Sequence, residues 1–192
     1  MVKHSRLFIY FLIGCVLTAL IVLWLLPGGL ELRVVPVKGG SPLAVLPLEA
    51  AERFTIHYYH SVENAPIWEK HSLDENGQIF IEEERYLKFG AGMGRMPGVG
   101  RMVRRGSFEV IEDMHMPTGD FILRIGSPGI DHTIIWRGRR KNLSAVAPHI
   151  AAKFAARPVS LFYRLWRRLF PHPATPAALS SQENTSDGNE RN

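Results

Sequence analysis

The sequence predicts an all-β protein, in which an antiparallel β-sandwich or meander follows one N-terminal transmembrane helix and precedes a C-terminal basic amphipathic helix. Residues 7–26 form an uncharged apolar run, residues 30–136 contain short apolar runs separated by Gly, Pro, Asn and Asp, and residues 144–170 carry Lys and Arg but no acidic residue. We therefore expect an anchor over 1–29, a β domain over 30–146, a basic amphipathic helical segment over 147–170 and a disordered tail over 171–192.

The apolar run at residues 7–26 is long enough to cross a membrane, since a helix of this length extends about 30 Å. Lys3 and Arg6 precede it, and this charge bias favours an amino end in the cytoplasm and a body outside it. Two alternatives are a cleaved signal sequence and lipidation of Cys15, which ends a lipobox-like run. Because apolar residues continue well beyond Cys15, we favour an uncleaved span.

The composition limits the possible functions. A single cysteine excludes an intramolecular disulfide and a thiolate zinc site. The net charge of +5 would permit binding to anionic lipid or to nucleic acid. Nucleic-acid binding would need basic residues interleaved with aromatic ones on a sheet face, and the expected extracytoplasmic position argues against it. We expect no nucleic-acid partner.

The β domain should consist of successive antiparallel strands. The pair Asn76-Gly77 predicts a type I′ hairpin turn, which would join residues 68–73 to residues 78–89. In the second of these segments, Glu83 and Arg85 alternate with the apolar residues that should face the core. Either a β-bulge re-aims this strand, or both charges are partly buried. The candidate strands are 30–37, 42–48, 53–60, 71–80, 81–89, 107–116, 120–126 and 132–138.

The segment from Phe54 to Leu73 is rich in histidine, tyrosine and glutamate. His60, Ser61 and Glu63 invite comparison with a catalytic triad, but neighbouring strand residues point to opposite faces and no nucleophile elbow is present. We therefore expect no catalytic residue and a protein that is not an enzyme. A metal site could draw on His57, His60, Glu63, Glu69 and His71, although no H-E-x-x-H pair fixes its geometry. We expect no metal and no cofactor.

A glycine-rich stretch follows at residues 88–102. It matches neither the dinucleotide fingerprint nor the phosphate-binding P-loop. We interpret it as a surface loop, whose glycines either adopt a positive φ or let the backbone approach another chain closely. Together with the polar hairpin, this loop is the predicted binding or interaction surface. Its residues are His60, Ser61, Glu63, Glu69, Arg85, Gly90 and Gly92.

Residues 159–170 place large apolar side chains at helical spacing, with arginines opposite them. Such a helix can lie on an anionic membrane surface, and the alternative is a helix packed on the sheet with a solvated arginine face. The predicted membrane contacts are Arg164, Trp166, Arg167 and Arg168. Residues 171–192 carry few large apolar side chains, so we expect them to be disordered.

Two motifs resemble those of the DUF1850 family. The first is F-x-I-x-Y-x-H-S-V-E-x-x-P-x-x-E, from Phe54 to Glu69, and the second is R-Y-x-x-F-G-A-G-M, from Arg85 to Met93. The resemblance extends over about residues 30–147. It implies a small bacterial extracytoplasmic β domain of unassigned biochemistry, typically encoded beside, or fused to, the permease of TAXI-type TRAP transporters. The basic segment and polar tail depart from the family pattern.

The resemblance implies an accessory or interaction protein of a TRAP transporter. We expect a single-pass protein of the inner (cytoplasmic) membrane, with the bulk of the chain in the periplasm or otherwise outside the cytoplasm. Its partners would be the lipid bilayer and the transporter's permease or solute receptor. The alternative function is a metal-binding or hydrolytic extracytoplasmic enzyme that uses His60, Glu63 and Glu69.

Overall fold

The computed structural model describes residues 2–87 and 98–170. Within them, an apolar N-terminal helix precedes two mostly antiparallel sheets, and a second helix follows the sheets, which confirms the predicted fold class. The elements are α1 (Val2–Leu25), β1 (Pro27–Pro36), β2 (Ala44–Leu48), β3 (Phe54–Tyr59), β4 (Pro66–Leu73), β5 (Ile79–Tyr86), β6 (Arg101–Arg105), β7 (Phe108–Glu112), β8 (Met116–Pro117), β9 (Phe121–Arg124), β10 (Thr133–Trp136), β11 (Arg139–Asn142), α2 (Leu143–Val146), β12 (Ala151–Ser160) and α3 (Leu161–Leu169).

The two sheets pack their inner faces around one apolar core. The small sheet has the strand order β2-β1-β12-β9, and the large sheet has the order β11-β10-β3-β4-β5-β7-β6, with β8 paired to β5. The core contains Leu32 and Phe154 from the small sheet and Phe54, Ile56 and Leu73 from the large one, all nearly inaccessible to water. Because the two sheets pack face to face, each strand buries the side chains of one face, and this explains the alternation of apolar and polar residues along the strands.

Residues 151–160 are a β-strand, so the prediction of a helical segment over 147–170 is wrong for them. They form β12, which pairs with β1 from Pro36 to Pro27 and with β9. Ala152 and Phe154 face the core, whereas Lys153 between them is exposed. This period of two is the strand period, and it places β12 between two other strands. The β region therefore extends to Ser160, and only residues 161–169 form the predicted helix.

Two local features shape the β4–β5 hairpin. Gly77 has a φ of +85°, but Asn76 does not have a positive φ, so the turn is not the predicted type I′. Instead, the Gly77 amide donates to the Asp74 carbonyl oxygen, and the Asp74 carboxylate accepts from the amides of Asn76 and Gln78. Further along, the register shifts between Lys70 and His71, which is the bulge that the sequence offered as one explanation of the acidic run.

Helices α1 and α3 meet at one end of the sandwich. Pro27 pairs with Ser160, and the Leu161 amide donates to the Leu26 carbonyl oxygen at 2.8 Å. The window Phe8–Leu25 has a mean hydropathy of 2.6, and none of its residues is buried. Helix α1 is therefore long and apolar enough to cross a membrane, a property that an N-terminal signal sequence shares.

Candidate functional site

The structure divides the predicted interaction residues among separate places. His60, Ser61 and Glu63 lie in the turn between β3 and β4, which we call the hairpin tip (residues 60–65). Glu69 lies in β4 and Arg85 in β5, on opposite faces of the large sheet. Gly90 and Gly92 fall outside the described residues.

Backbone hydrogen bonds hold the hairpin tip in shape. The His60 amide donates to the Ala65 carbonyl oxygen, and the Asn64 amide donates back to the His60 carbonyl oxygen at 2.9 Å. The His60 ring accepts from the Glu63 amide through Nδ1 at 3.2 Å. These bonds leave Val62 at the outermost point, with 76% of its surface exposed. His60 therefore serves as a turn residue beside an exposed apolar side chain.

The hairpin tip lies at the end of the sandwich opposite to α1. The Tyr59 amide donates to the Ile130 carbonyl oxygen, and the Ile125 amide donates to the Ile150 carbonyl oxygen, both at 2.8 Å. Ile150 precedes Ala151, the first residue of β12, whereas the last residue of β12 pairs with Pro27 next to α1. Ten strand residues extend about 30 Å, so roughly this distance separates the tip from the end of α1.

A second polar group lies on the inner face of the large sheet, and we call it the inner polar cluster (Tyr58, Glu69, His71, Glu84 and Tyr86). Glu69 and Glu84 are directly opposite each other on β4 and β5. The Tyr58 hydroxyl donates to Glu69 at 2.8 Å, and the Tyr86 hydroxyl donates to Glu84. Each carboxylate therefore has a phenol donor, which offsets the repulsion between the two acids.

Burial controls the charge of this cluster. Burial raises the pKa of Glu84, the Tyr86 hydrogen bond opposes this effect, and the nearby Glu69 charge adds a smaller increase. Burial, together with Glu69, raises the pKa of Tyr58, and burial together with Glu84 raises the pKa of Tyr86. Both phenols thus remain protonated hydrogen-bond donors at physiological pH.

His71 completes the inner polar cluster without a regular hydrogen bond. Its ring stacks between Phe54, at 5.0 Å, and Phe121, at 5.6 Å between ring centroids. Its Nε2 lies 3.5 Å from a carboxylate oxygen of Glu69, and neither ring nitrogen has a hydrogen-bond partner. The His71 ring is therefore held by packing between two aromatic rings and by one long polar contact with Glu69.

Arg85 does not join Glu69. It lies opposite Trp68 on the outer face, where its guanidinium group is 3.5 Å from Glu83 and stands over the Phe108 ring at 5.5 Å. Glu83 is bound in turn by Lys70 at 2.8 Å. The bulge after Lys70 produces this result, because it turns Glu83 and Arg85 outward and Glu84 inward.

The residues of the metal or hydrolase alternative do not converge. Glu69 pairs with Ile56, four positions before His60, which corresponds to about 13 Å along the strand. In the part of the chain that the structure describes, no three His, Cys, Asp or Glu side chains are grouped to hold a metal ion. His60, Glu63 and Glu69 therefore do not form one site.

Helix α3 is attached to the start of β1. The Ser160 hydroxyl accepts from the Tyr163 amide as an N-cap, and the Tyr163 hydroxyl donates to Glu31 at 3.1 Å. Arg164 donates to the Gly28 carbonyl oxygen at 2.6 Å and pairs with Glu49. Of the predicted membrane contacts, Arg164 thus faces the domain, whereas Trp166 and Arg168 are exposed and Arg167 is half-buried.

The sequence interpretation missed most of the inner polar cluster. Tyr58, Glu84 and Tyr86 looked like ordinary members of alternating strands, and His71 was considered only as a possible metal ligand. The meeting of these residues depends on the register between β4 and β5. The available signal was the triple glutamate at 82–84, which is one residue too long for simple alternation. A bulge at that point is what brings Glu84 to the inner face.

Comparison with known proteins places these features in a family. No curated protein and no solved structure matches the chain. The family model of DUF1850, a domain of unknown function, matches residues 54–143. The match contains the hairpin tip and the inner polar cluster, while β1, β2, β12 and both long helices lie outside it. This match confirms the predicted resemblance, and residues 54–143 of the chain are a DUF1850 region.

Proposed function

We propose that the protein is a membrane-anchored accessory of a TAXI-type TRAP transporter, and that its DUF1850 domain meets the solute receptor or the permease outside the cytoplasm. The observation that carries this proposal is the position of the hairpin tip. It lies about 30 Å from the end of α1 and presents an exposed valine. A domain fixed to a membrane at one end reaches a soluble partner with its other end.

The attachment of α1 to the domain supports a retained anchor in the inner membrane. The Leu26–Leu161 hydrogen bond and the pairing of Pro27 with Ser160 join the end of α1 to the last strand of the sandwich. Cleavage near this point would remove residues that pair with the end of β12. The exposed apolar side chains of α1 also require a hydrocarbon environment, and Lys3 and Arg6 favour a cytoplasmic amino end.

The hairpin tip has the chemistry of a small contact surface. Val62 supplies an apolar centre, and His60, Ser61 and Glu63 surround it with polar groups. An apolar side chain surrounded by polar ones is the usual arrangement at the centre of a protein interface. The distance from the membrane favours the solute receptor over the permease as the partner of this tip.

The inner polar cluster supports a binding domain and not an enzyme. Its carboxylates are occupied by tyrosine hydroxyls, and its phenols stay protonated because their pKa values are raised. Neither group is therefore a ready nucleophile or general base. We infer that the cluster holds β3, β4 and β5 in the register that shapes the tip.

Co-purification of the full-length protein from mildly solubilised membranes tests the proposal. We expect a TRAP solute receptor or permease to accompany the wild-type protein. Val62→Asp should reduce that recovery about tenfold, because it places a charge at the centre of the contact. Val146→Asp is the matched control, since Val146 is also exposed but lies on α2. Repeated absence of both transporter proteins from the wild-type preparation would refute the proposal.

A further inference from the structure

We propose that α3 and the groove beside it bind an anionic phospholipid of the membrane that α1 crosses. This inference rests on the proposed anchorage of α1, and it adds a ligand and a second membrane contact. The lipid-facing residues are on α3, and the groove lies between α3 and strands β1 and β2.

The position of α3 is the first argument. Its first residue, Leu161, is hydrogen-bonded to Leu26, the residue that follows the last one of α1. The two helices are also in contact with each other. If α1 spans the bilayer, α3 must begin where the chain leaves the hydrocarbon, at the level of the lipid headgroups.

The exposed side of α3 is the second argument. Trp166 is 51% exposed and Leu169 is 73% exposed, and Leu165 and Phe170 are exposed beside them. Trp166 packs against Phe170 at 4.4 Å between ring centroids, so the two rings form one apolar surface. Tryptophan and phenylalanine next to a span are typical of the membrane–water boundary, where their rings insert between lipids.

The groove supplies the charge. It has a volume of about 390 Å³, and its lining contains four arginines and one glutamate. Leu30, Val45 and Pro47 contribute an apolar wall, and Arg167 and Arg168 line the groove from the last turn of α3. A lipid headgroup has matching parts, because its phosphate is anionic and its glycerol and acyl carbons are apolar.

Several charged groups of the groove are bound to other groups of the domain. Arg137 donates two hydrogen bonds to Glu52, and Arg164 is bonded to Glu49 and to Gly28. Glu31, the acid in the lining, is 5% exposed and is bound by the Tyr163 hydroxyl. The Tyr163 hydroxyl therefore partly compensates the charge of Glu31, and the last turn of α3 brings Arg167 and Arg168 to the groove, where their guanidinium groups can bind a phosphate.

The depth of α3 in the membrane can be measured on the full-length protein in nanodiscs. A spin label at Leu169→Cys, in a Cys15→Ser background, should be more accessible to oxygen in the lipid than to a water-soluble nickel reagent. The same label at Val62→Cys, on the distant hairpin tip, should show the reverse. Equal aqueous accessibility at the two positions would overturn the proposal.

The lipid preference is tested by the lipid that the purified protein retains. From nanodiscs with equal amounts of phosphatidylglycerol and phosphatidylcholine, we expect the wild-type protein to retain more phosphatidylglycerol. In the double variant Arg167→Gln/Arg168→Gln, the ratio of retained phosphatidylglycerol to phosphatidylcholine should be about tenfold lower. Arg104→Gln/Arg105→Gln removes the same charge from exposed β6 and should leave the enrichment unchanged. Equal retention of the two lipids by the wild type would overturn the proposal.

Failure of this inference is distinguishable from failure of the proposed function. Alkaline carbonate extraction reports whether α1 anchors the chain, and receptor recovery with Val62→Asp reports on the tip. If the protein resists extraction and binds its transporter partner but prefers no lipid, only the lipid proposal fails. If carbonate releases the protein, the anchorage and the lipid site fail together.

Discussion

At the scale of single residues, the inner polar cluster is the least expected feature of the molecule. Two glutamates lie directly opposite each other on the core-facing side of a sheet, a position where like charges destabilise. Tyr58 and Tyr86 each supply a hydroxyl donor, and their pKa values are raised, so both keep their protons. The pairing between Glu69 and Glu84 thus costs stability whenever both acids are ionised.

Replacing Glu84 with glutamine should stabilise the protein at neutral pH. The raised pKa of Glu84 means that its contribution to stability is complete at acidic pH and is lost as the pH rises through that pKa. Glu84→Gln should remove this loss and raise the free energy of unfolding at pH 7 by up to about 1 kcal/mol. Thermal unfolding between pH 4 and pH 8 measures the difference between variant and wild type.

Glu75→Gln is the control for this comparison, because Glu75 is exposed in the β4–β5 turn. It should leave the pH dependence of unfolding as it is in the wild type. If Glu84→Gln destabilises the protein at pH 7, the ionised pair stabilises the sheet, and our view of the cluster is wrong.

Features of the candidate site that depend on neighbouring residues could be predicted from the sequence, whereas features that depend on the register between strands could not. Strand β3 follows from the alternation of its own residues, and the sequence located it within residues 53–60. The partner of Glu69 could not be found in this way, because it depends on one extra residue in β5 that shifts the register. The same shift separates Arg85 from Glu69, since Arg85 faces Phe108 and Glu83.

At the scale of elements, β12 shows why an alanine-rich segment is easily misassigned. Residues 151–157 are AAKFAAR, which has a high intrinsic helix propensity. In the molecule, this segment pairs with β1 along its length and with β9 at its start, and it buries Phe154 in the core. Tertiary pairing outweighs local propensity here, whereas the earlier strands have branched and aromatic residues that favour a strand by themselves.

The β4–β5 hairpin also approaches β12, and glycine is required at that contact. A Cβ atom on Gly77 would lie 2.9 Å from the carbonyl group of Ala156, and Gly77 has a φ of +85°. We therefore expect Gly77→Ala to lower the free energy of unfolding by about 2–3 kcal/mol, from backbone strain and from this clash. Urea unfolding monitored by circular dichroism gives the value.

Gly39→Ala separates the two causes. Gly39 has a similar φ of +88°, but a Cβ atom there would meet no other atom within 4 Å. Its replacement should cost only the backbone strain, about 1 kcal/mol. Equal losses in the two variants would mean that the hairpin does not press against β12.

At the scale of the whole molecule, the fold separates a membrane end from a distal end. The membrane end contains α1, α3 and the arginine-lined groove, and the distal end contains the hairpin tip. Strands β1 and β12 connect the two ends, and the matched family region, residues 54–143, lies between them in sequence. Under the two proposals made above, the chain would bind lipid at the first end and a protein at the second.

The central claim is that the hairpin tip contacts a TRAP transporter protein outside the cytoplasm. The most direct measurement is photo-crosslinking in intact cells, with a benzoyl-phenylalanine residue in place of Val62 and, as the control, in place of Val146. We expect position 62 to form a cross-link to the solute receptor or the permease, and position 146 to form none. Cross-links from position 62 to cytoplasmic proteins, or an equal pattern at the two positions, would contradict it.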